Sequence, residues 1–227
     1  MRGVFAFTKG RGFDGGIVIL KADRIARELE DPSHPEDPLI ISPKPNIHDI
    51  RSSGAASLDV RLGRWFLTCR PSRIGMLDVY KPRSEVPSEA KLTKSYYVPF
   101  GEGFVLHPKA FVLGVTMEWF RLPADMAAYV VGRSSWGRHG LVIATASGVH
   151  PGFTGCLTLE LANIGEIPVT IRPGTTICQV FFHKVEVGDR THVDRSNFIG
   201  RRKPTLGHIE LDRIAESLAE MKDSHRV

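Results

Sequence analysis

The chain has 227 residues, of which 42% are hydrophobic and 24% are charged, values typical of a soluble globular protein with one main domain. No apolar run approaches the roughly 20 residues that span a bilayer, and no small-residue cleavage site makes the N-terminus resemble a secretory signal. We therefore expect a cytoplasmic protein with no membrane partner. The net charge of +5 comes without a recognition helix, a zinc finger or an aromatic RNA-binding signature, so we expect no nucleic-acid partner.

The N-terminal part of the chain predicts one helix and one brief strand. Residues 1–16 are Gly-rich and irregular, and we interpret them as an extension. The pattern of Ala22–Glu30 predicts a short helix that ends before the following Asp-Pro pair. Residues 36–50 contain three prolines, which predicts a loop with one brief strand at Leu39–Ile41.

The central part of the chain predicts a mainly β fold. From Ala56 to His183, short apolar runs recur between Gly, Pro and charged breaks, as in a β-barrel or jelly roll rather than a parallel sheet. After this region, Ile209–Asp223 reads as an amphipathic helix. Its apolar stripe consists of Leu211, Ile214, Leu218 and Met221. We divide the chain into the extension 1–16, a β domain at 17–190, and a closing segment with the helix at 191–227.

The cysteines do not form a disulfide pattern. They are three isolated thiols, Cys69, Cys156 and Cys178. An odd count without paired spacing fits a reducing compartment, and we expect these residues to pack as small hydrophobic side chains.

A cationic turn at residues 132–135 can bind an anion. Arg133 can hold a phosphate through two parallel charged hydrogen bonds, and the hydroxyls of Ser134 and Ser135, with nearby amides, can satisfy its other oxygens. Taken alone, such a turn most often only reverses the chain.

A candidate carboxylate follows that turn. Leu141–Ala146 predicts a buried strand, and residues 147–155 predict turns. Residues 156–161 then alternate with period two, which places the leucines on one face and Cys156, Thr158 and Glu160 on the other. We expect Glu160 to lie within reach of the Arg133 turn, where a half-enclosed carboxylate suits general acid–base catalysis. The alternative is that Glu160 belongs to an ordinary solvent-facing strand surface.

Several segments, in order, resemble the motifs of the dCTP deaminases, relatives of the trimeric dUTPases. They span roughly residues 20–206 and consist of Ser57–Gly63, Leu106–Pro108, Leu122–Asp125, Gly132–Arg138, Thr145–Ala146, Pro151–Gly155, Leu157–Leu161, Arg172–Gly174 and Ile177–Gln179. The resemblance implies a dUTPase-like distorted β-barrel or jelly roll with a few short helices. It also implies a homotrimer whose active sites lie between subunits.

The resemblance implies dCTP as the small-molecule substrate and Glu160 as the catalytic residue. Glu160 would take a proton from a water molecule as that water attacks C4 of cytosine. Ser134 and Arg138 would orient the water, and Ala146 would be small enough to leave room for it. The implied substrate-binding residues are Arg133, Ser134, Ser135, Trp136, Gly137, Arg138, His150, Thr158, Leu159, Glu160, Gln179, Asn197, Phe198 and Arg201.

We expect no zinc and no metal held by protein side chains. The Pro-Cys-x-x-Cys segment with which zinc deaminases hold their metal does not occur in the sequence. Magnesium would enter on the triphosphate, because that ion usually binds substrate phosphates and keeps several of its waters.

The chain departs from the family pattern in two places. His150 stands where the family carries an aspartate that, in dUTPases and bifunctional deaminases, helps to activate the water attacking phosphorus. A histidine can still bond a deoxyribose hydroxyl, so the change argues against diphosphatase activity more than against deamination. In the closing segment, Asn197, Ile199 and Arg201 replace a lysine and two glutamines, and Phe198 replaces a tyrosine.

Three functions follow as hypotheses. The first is metal-free deamination of dCTP to dUTP and ammonia. The second is hydrolysis of the phosphoanhydride, either alone as a dUTP diphosphatase or after deamination. The third is a nucleotide-binding regulatory module that has lost catalysis, against which the retention of Glu160 argues.

Overall fold

A computed structural model describes residues 19–70, 88–144, 148–185 and 200–207, together with the helical positions 214, 217 and 218. The predicted extension 1–16, the motif residues Thr145 and Ala146, and the tail residues Asn197 and Phe198 lie outside the described residues.

The described residues form short helices and many strands. The helices are α1 Ala22–Glu30, α2 Ile47–Ser53, α3 Glu89–Leu92 and α4 Ser134–Gly137. The strands are β1 Ile40–Ser42, β2 Leu58–Arg61, β3 Trp65–Cys69, β4 Thr93–Tyr97, β5 Phe104–Leu106, β6 Phe111–Arg121, β7 Met126–Gly132, β8 Leu141–Ile143, β9 Gly148–Val149, β10 Thr154–Asn163, β11 Val169–Ile171 and β12 Thr176–Lys184.

The strands form antiparallel sheets. The largest has the order β4-β3-β6-β10-β8, with β1 also pairing with β6, and a four-stranded sheet has the order β2-β12-β7-β9. Strands β11 and β5 form a separate pair. Buried side chains from both large sheets, including Phe66, Phe120 and Phe182, belong to one hydrophobic core. The predicted mainly β fold with a few short helices is therefore confirmed, although no sheet closes on itself within the described ranges.

The N-terminal helix lies where the sequence predicts it. Helix α1 buries Ile25 and Ala26 against the core and ends at Asp31, before a proline. The region predicted as a loop at 36–50 differs from the prediction in two ways. Its strand is shifted by one residue, to Ile40–Ser42, and helix α2 begins within it because the side chain of Asn46 accepts a hydrogen bond from the His48 amide.

The C-terminal region is described at a few positions. Ile214 and Leu218 are helical and exposed, in agreement with a helix at this point of the sequence. No helix among the described residues is long and apolar enough to cross a membrane.

Candidate active site

Strand β10 carries the candidate carboxylate. The leucine face is buried and the opposite face is half-buried, so the predicted alternation is confirmed. Thr158 and Glu160 lie on the half-buried face, whereas the side chain of Leu159 is fully buried. Of the implied substrate-binding residues on this strand, Leu159 therefore has only backbone atoms to offer a ligand.

A bulge sets the position of that strand. Between the pairs Cys156–Trp119 and Thr158–Val115, β6 uses four residues where β10 uses two. The Thr116 hydroxyl accepts a hydrogen bond from the Leu157 amide at 2.9 Å and donates one to the Glu118 carbonyl at 2.7 Å. The bulge thus holds β10 at the residue just before Thr158.

An ion pair between the buried carboxylate of Glu118 and Arg61, whose side chain is 39% exposed, joins the two large sheets beside the bulge. The Glu118 carboxylate, 4% exposed, accepts hydrogen bonds from the backbone amide and the Nε atom of Arg61, at 2.9 and 2.6 Å. Since Arg61 belongs to β2 and Glu118 to β6, this pair crosses from one sheet to the other. The sequence pattern gave no signal for Thr116 or Glu118 as residues that support the site.

The cationic turn forms one turn of helix after β7. Ser134, Ser135, Gly137 and Arg138 are exposed in or directly after α4. The indole of Trp136 packs against the core and donates from Nε1 to the carbonyl of Thr176 at 3.0 Å. Trp136 therefore anchors the turn, while the hydroxyls and the Arg138 guanidinium remain open to solvent.

Two predicted ligands converge on one unpredicted carboxylate. Asp59 Oδ1 accepts a hydrogen bond from Gln179 Nε2 at 3.1 Å, and Asp59 Oδ2 lies 3.5 Å from a terminal nitrogen of Arg133. The pairing of β12 with both β2 and β7 produces this cluster, because Gln179 is opposite Asp59 on one side and Val131 on the other.

The candidate carboxylate has no direct bond to the cationic turn in the described part of the chain. No hydrogen bond or ion pair there joins Glu160 to Arg133, Ser134 or Arg138. The backbone carbonyl of Glu160 accepts the Ala144 amide at 2.9 Å, directly after β8. That Glu160 lies within reach of a ligand held by the Arg133 turn stays a prediction.

The hairpin between β8 and β10 is partly described. Gly148 and Val149 form β9 against β7, where the sequence predicts only a turn. His150 follows as an exposed residue, and its carbonyl accepts the Phe153 amide at 3.2 Å. The imidazole at this position is therefore available to a ligand.

The described tail lies along the start of β10. The Gly200 amide donates to the Thr154 carbonyl at 2.6 Å, and the Arg201 carbonyl accepts the Cys156 amide at 2.9 Å. Gly155 has a φ of +146°, and a Cβ there would lie 3.2 Å from the Arg201 carbonyl oxygen, so the close approach depends on glycine. This docking places Arg201, an exposed residue, near the beginning of the strand that carries Glu160.

The Lys203 ammonium, two residues later, lies 3.9 Å from the centre of the Trp65 ring. The tail therefore also contacts strand β3, in the same large sheet as β10.

The thiols near the site are poor nucleophiles. Burial, reinforced by the carboxylates of Glu118 and Asp59, raises the pKa of Cys178 to about 12. Burial also raises the pKa of Cys156, partly offset by the charge of Arg202. The described residues contain no group of three or more His, Cys, Asp or Glu side chains that could hold a metal ion.

Known proteins resemble most of this chain. A family model described as dCTP deaminase-like matches residues 19–185. A "dCTP deaminase, dUMP-forming" of Methanobrevibacter smithii is 36% identical over 201 residues, which cover 86% of this chain and 97% of that protein. The protein of the same description from Sulfurihydrogenibium sp. is 42% identical over 70% of this chain and 83% of its own length.

A third relative, described as "dCTP deaminase", comes from Natronomonas pharaonis and is 41% identical over 70% of this chain and 81% of its own length. Among solved structures, the 2'-deoxycytidine 5'-triphosphate deaminase of Agrobacterium tumefaciens has a TM-score of 0.53 at 24% identity, covering 74% of this chain and 48% of that one. At this identity the structural likeness concerns the fold.

Proposed function

Because the chain belongs to the dCTP deaminase-like family, we propose that it catalyses the hydrolytic deamination of dCTP, releasing ammonia from C4 of cytosine. The observation that carries the proposal is the placement of Glu160, whose carboxylate stands on the half-buried face of β10 beside Thr158. A carboxylate that is partly shielded from water is suited to proton transfer. A nucleoside triphosphate substrate places the activity in the cytoplasm.

In the proposed reaction, Glu160 takes a proton from a water molecule as the oxygen of that water bonds to C4 of cytosine. That proton passes to the ring nitrogen. The second proton of the water moves from the new C4 hydroxyl to the amino group, the C4–N bond breaks, and ammonia leaves as the C4 carbonyl forms. Ser134 and Arg138 orient the water, and the small Ala146 leaves room for it. Thr158 lies on the same face of β10 as Glu160 and lines the cytosine pocket.

The triphosphate binds to the cationic turn in this proposal. Arg133 supplies paired charged donors, and the exposed hydroxyls of Ser134 and Ser135 bond the remaining oxygens. Magnesium enters with the phosphates. Gln179 and Arg201 contact the nucleotide from β12 and from the tail.

A homotrimer with sites between subunits would bring the strand that carries Glu160 together with the cationic turn. One observation supporting this assembly is that, among the described residues, no hydrogen bond or ion pair joins Glu160 to Arg133. Another is an apolar surface on the four-stranded sheet, where Ile19, Tyr129 and Val131 are each 48% exposed. Copies that cover this surface could present the turn of one chain to the strand of another.

The proposed reaction is tested by incubating the protein with dCTP and magnesium, separating nucleotides by anion exchange, and measuring ammonia. Glu160→Gln keeps the shape of the side chain and removes its basicity, so we expect turnover to fall more than about 100-fold. Glu166→Gln, in an exposed loop, is the matched control and should keep full activity. Saturable dCTP binding without product would contradict the proposal and favour the regulatory module.

A second candidate adds hydrolysis of the phosphoanhydride, which yields dUMP. It is favoured by two relatives that are described as dUMP-forming, at 36% and 42% identity. Exposed His150 would then take the place of the expected aspartate as the group that activates water. If the wild-type protein releases dUMP and His150→Ala releases dUTP, this candidate holds; dUTP from the wild-type protein contradicts it.

A further inference from the structure

We propose that Asp59 is a positioning residue that orients two substrate-binding side chains, Arg133 and Gln179, toward the triphosphate, an inference that rests on the proposed function. Asp59 is the shared partner of both side chains, at 3.5 Å and 3.1 Å. It belongs to β2, whereas its partners come from the end of β7 and from β12. One carboxylate therefore fixes donors from two other strands.

The two carboxylate oxygens are divided between the two partners. Oδ1 accepts from Gln179 and Oδ2 faces Arg133, so neither partner displaces the other. The register supports this arrangement, because Asp59 and Gln179 are directly opposite each other in the β2–β12 pair. The geometry is thus built into the sheet rather than into a loop.

For Gln179, the contact decides which end of the amide a ligand meets. An ionised carboxylate only accepts hydrogen bonds, so the nitrogen end of the amide must face Asp59. The Oε1 atom and the second hydrogen on Nε2 are then what the amide offers to a nucleotide. Without Asp59 the amide can rotate, and half of its orientations present the wrong group.

For Arg133, the contact reduces the freedom of a long side chain. The guanidinium has five N–H donors in a planar fork, and one terminal nitrogen near Asp59 leaves the others for two parallel bonds to phosphate. Ordering an arginine on binding costs rotamer entropy, which the pre-formed pair has already removed. The pair itself is half-exposed, and such pairs add little to folding stability.

The test compares binding of dCTP and dCMP, with magnesium, to the full chain and to its Asp59→Asn and Asp59→Ala variants by titration calorimetry. We expect dCTP affinity to fall about tenfold in Asp59→Ala and less in Asp59→Asn, which keeps an acceptor for Gln179. The affinity for dCMP should change less than about twofold, because the oriented side chains act on the triphosphate. Asp49→Asn, on exposed α2, is the matched control and should bind like the wild type.

Where turnover is measured, KM for dCTP should rise in the Asp59 variants while kcat stays within about twofold of the wild type. Three results would overturn the role: dCTP affinity that is unchanged or tighter, equal losses for dCTP and dCMP, or a loss that disappears at saturating magnesium. An unchanged affinity would mean that the carboxylate does not orient the two side chains, and a tighter one that it only repels phosphate. Equal losses for dCTP and dCMP would indicate a general defect. A loss that disappears at saturating magnesium would mean that Asp59 acts through the cation.

The two proposals fail in distinguishable ways. Wild-type protein that binds dCTP without releasing ammonia contradicts the proposed reaction, and the binding comparison still decides the role of Asp59. Wild-type protein that releases ammonia while the Asp59 variants bind dCTP normally contradicts only the positioning role. Wild-type protein that does not bind dCTP overturns both.

Discussion

Strand β2 carries two ion pairs that differ in burial and in geometry. Arg61 reaches a carboxylate that is 4% exposed and holds it through two hydrogen bonds. Two residues earlier, Asp59 faces Arg133 at 3.5 Å, and these side chains are 49% and 39% exposed. The two arginines are equally exposed, at 39%, so the pairs differ in the burial of the carboxylate. The first pair joins two sheets, and the second lies at the candidate triphosphate site.

The contrast shows how one strand can serve both the scaffold and the site. A buried carboxylate must keep its partners, because a lone charge in a protein interior is strongly unfavourable. A half-exposed pair is screened by water and can exchange its partner for a ligand at small cost. We therefore expect Glu118 and Arg61 to matter mainly for stability, and the proposed role of Asp59 and Arg133 is in binding.

The largest effect is expected from Arg61→Met, which removes the guanidinium but keeps most of the side-chain volume. Of the two hydrogen bonds from Arg61 to Glu118, the variant keeps the one from the backbone amide and loses the one from Nε. Because the buried carboxylate then lacks its opposite charge, we expect a loss of about 3 kcal/mol in the free energy of unfolding. Asp59→Asn should cost less than about 1 kcal/mol. Urea denaturation of both variants measures the contrast, and equal losses would remove the distinction between the two pairs.

An intermediate effect is expected from Thr116→Val, which has nearly the same shape without the hydroxyl. The Leu157 amide then loses its acceptor in a buried position, which costs about 1–3 kcal/mol. Thr170→Val, at the exposed position of β11, is the control and should leave stability nearly unchanged. Denaturation curves for the two variants that coincide would show that the bulge does not depend on this hydroxyl.

A smaller, pH-dependent effect is expected at Glu28, a buried carboxylate outside both pairs. Burial raises its pKa, but hydrogen bonds from Ser33 and the charges of Lys184 and Arg24 outweigh it, so the net pKa lies below the ordinary value of 4.5. Its stabilising contribution is then present above pH 4.5 and is lost as the pH falls through the lowered pKa. The unfolding free energy of Glu28→Gln should accordingly change less over that acid range than that of the wild type.

The smallest effect on stability is expected at the cysteines. Below pH 9 they should differ clearly in reactivity. The raised pKa of Cys178, about 12, keeps its thiol protonated, whereas Cys69 is exposed. At pH 8 a thiol-disulfide reagent should modify Cys69 quickly and Cys178 only on unfolding. Above pH 9 the Cys178 thiol ionises in the unfolded chain but stays protonated in the folded one. The free energy of unfolding should therefore decline as the pH rises toward 12, and Cys178→Ala should reduce this decline.

Patterns within a single element were predictable from the sequence. Alternation of leucine with polar residues defined the buried face of β10, and helix α1 has the bounds that its pattern predicts. Helix α2 was missed because its seven residues follow prolines and bury a single side chain, Ile50, so it has little periodicity to detect.

Contacts between distant elements were not predictable in this way. Glu118 shares the buried face of β6 with Phe120, and the partner of its charge, Arg61, lies 57 positions away in the sequence. Asp59 and Gln179 meet across 120 positions of sequence, through a strand pairing that neither segment specifies alone. The motif resemblance identified the candidate ligands, and the sheet register adds the residue that connects two of them.

The contact between Lys203 and Trp65 gives the protein an optical signal of its own. Indole emission responds to nearby charge, and the ammonium 3.9 Å from the ring centre belongs to the tail rather than to the sheet. We expect fluorescence from Trp65 to change with the position of the tail, once Trp119 and Trp136 are replaced so that Trp65 alone emits. A stopped-flow trace could follow docking and release of the tail in real time, alongside the chemistry that the site performs.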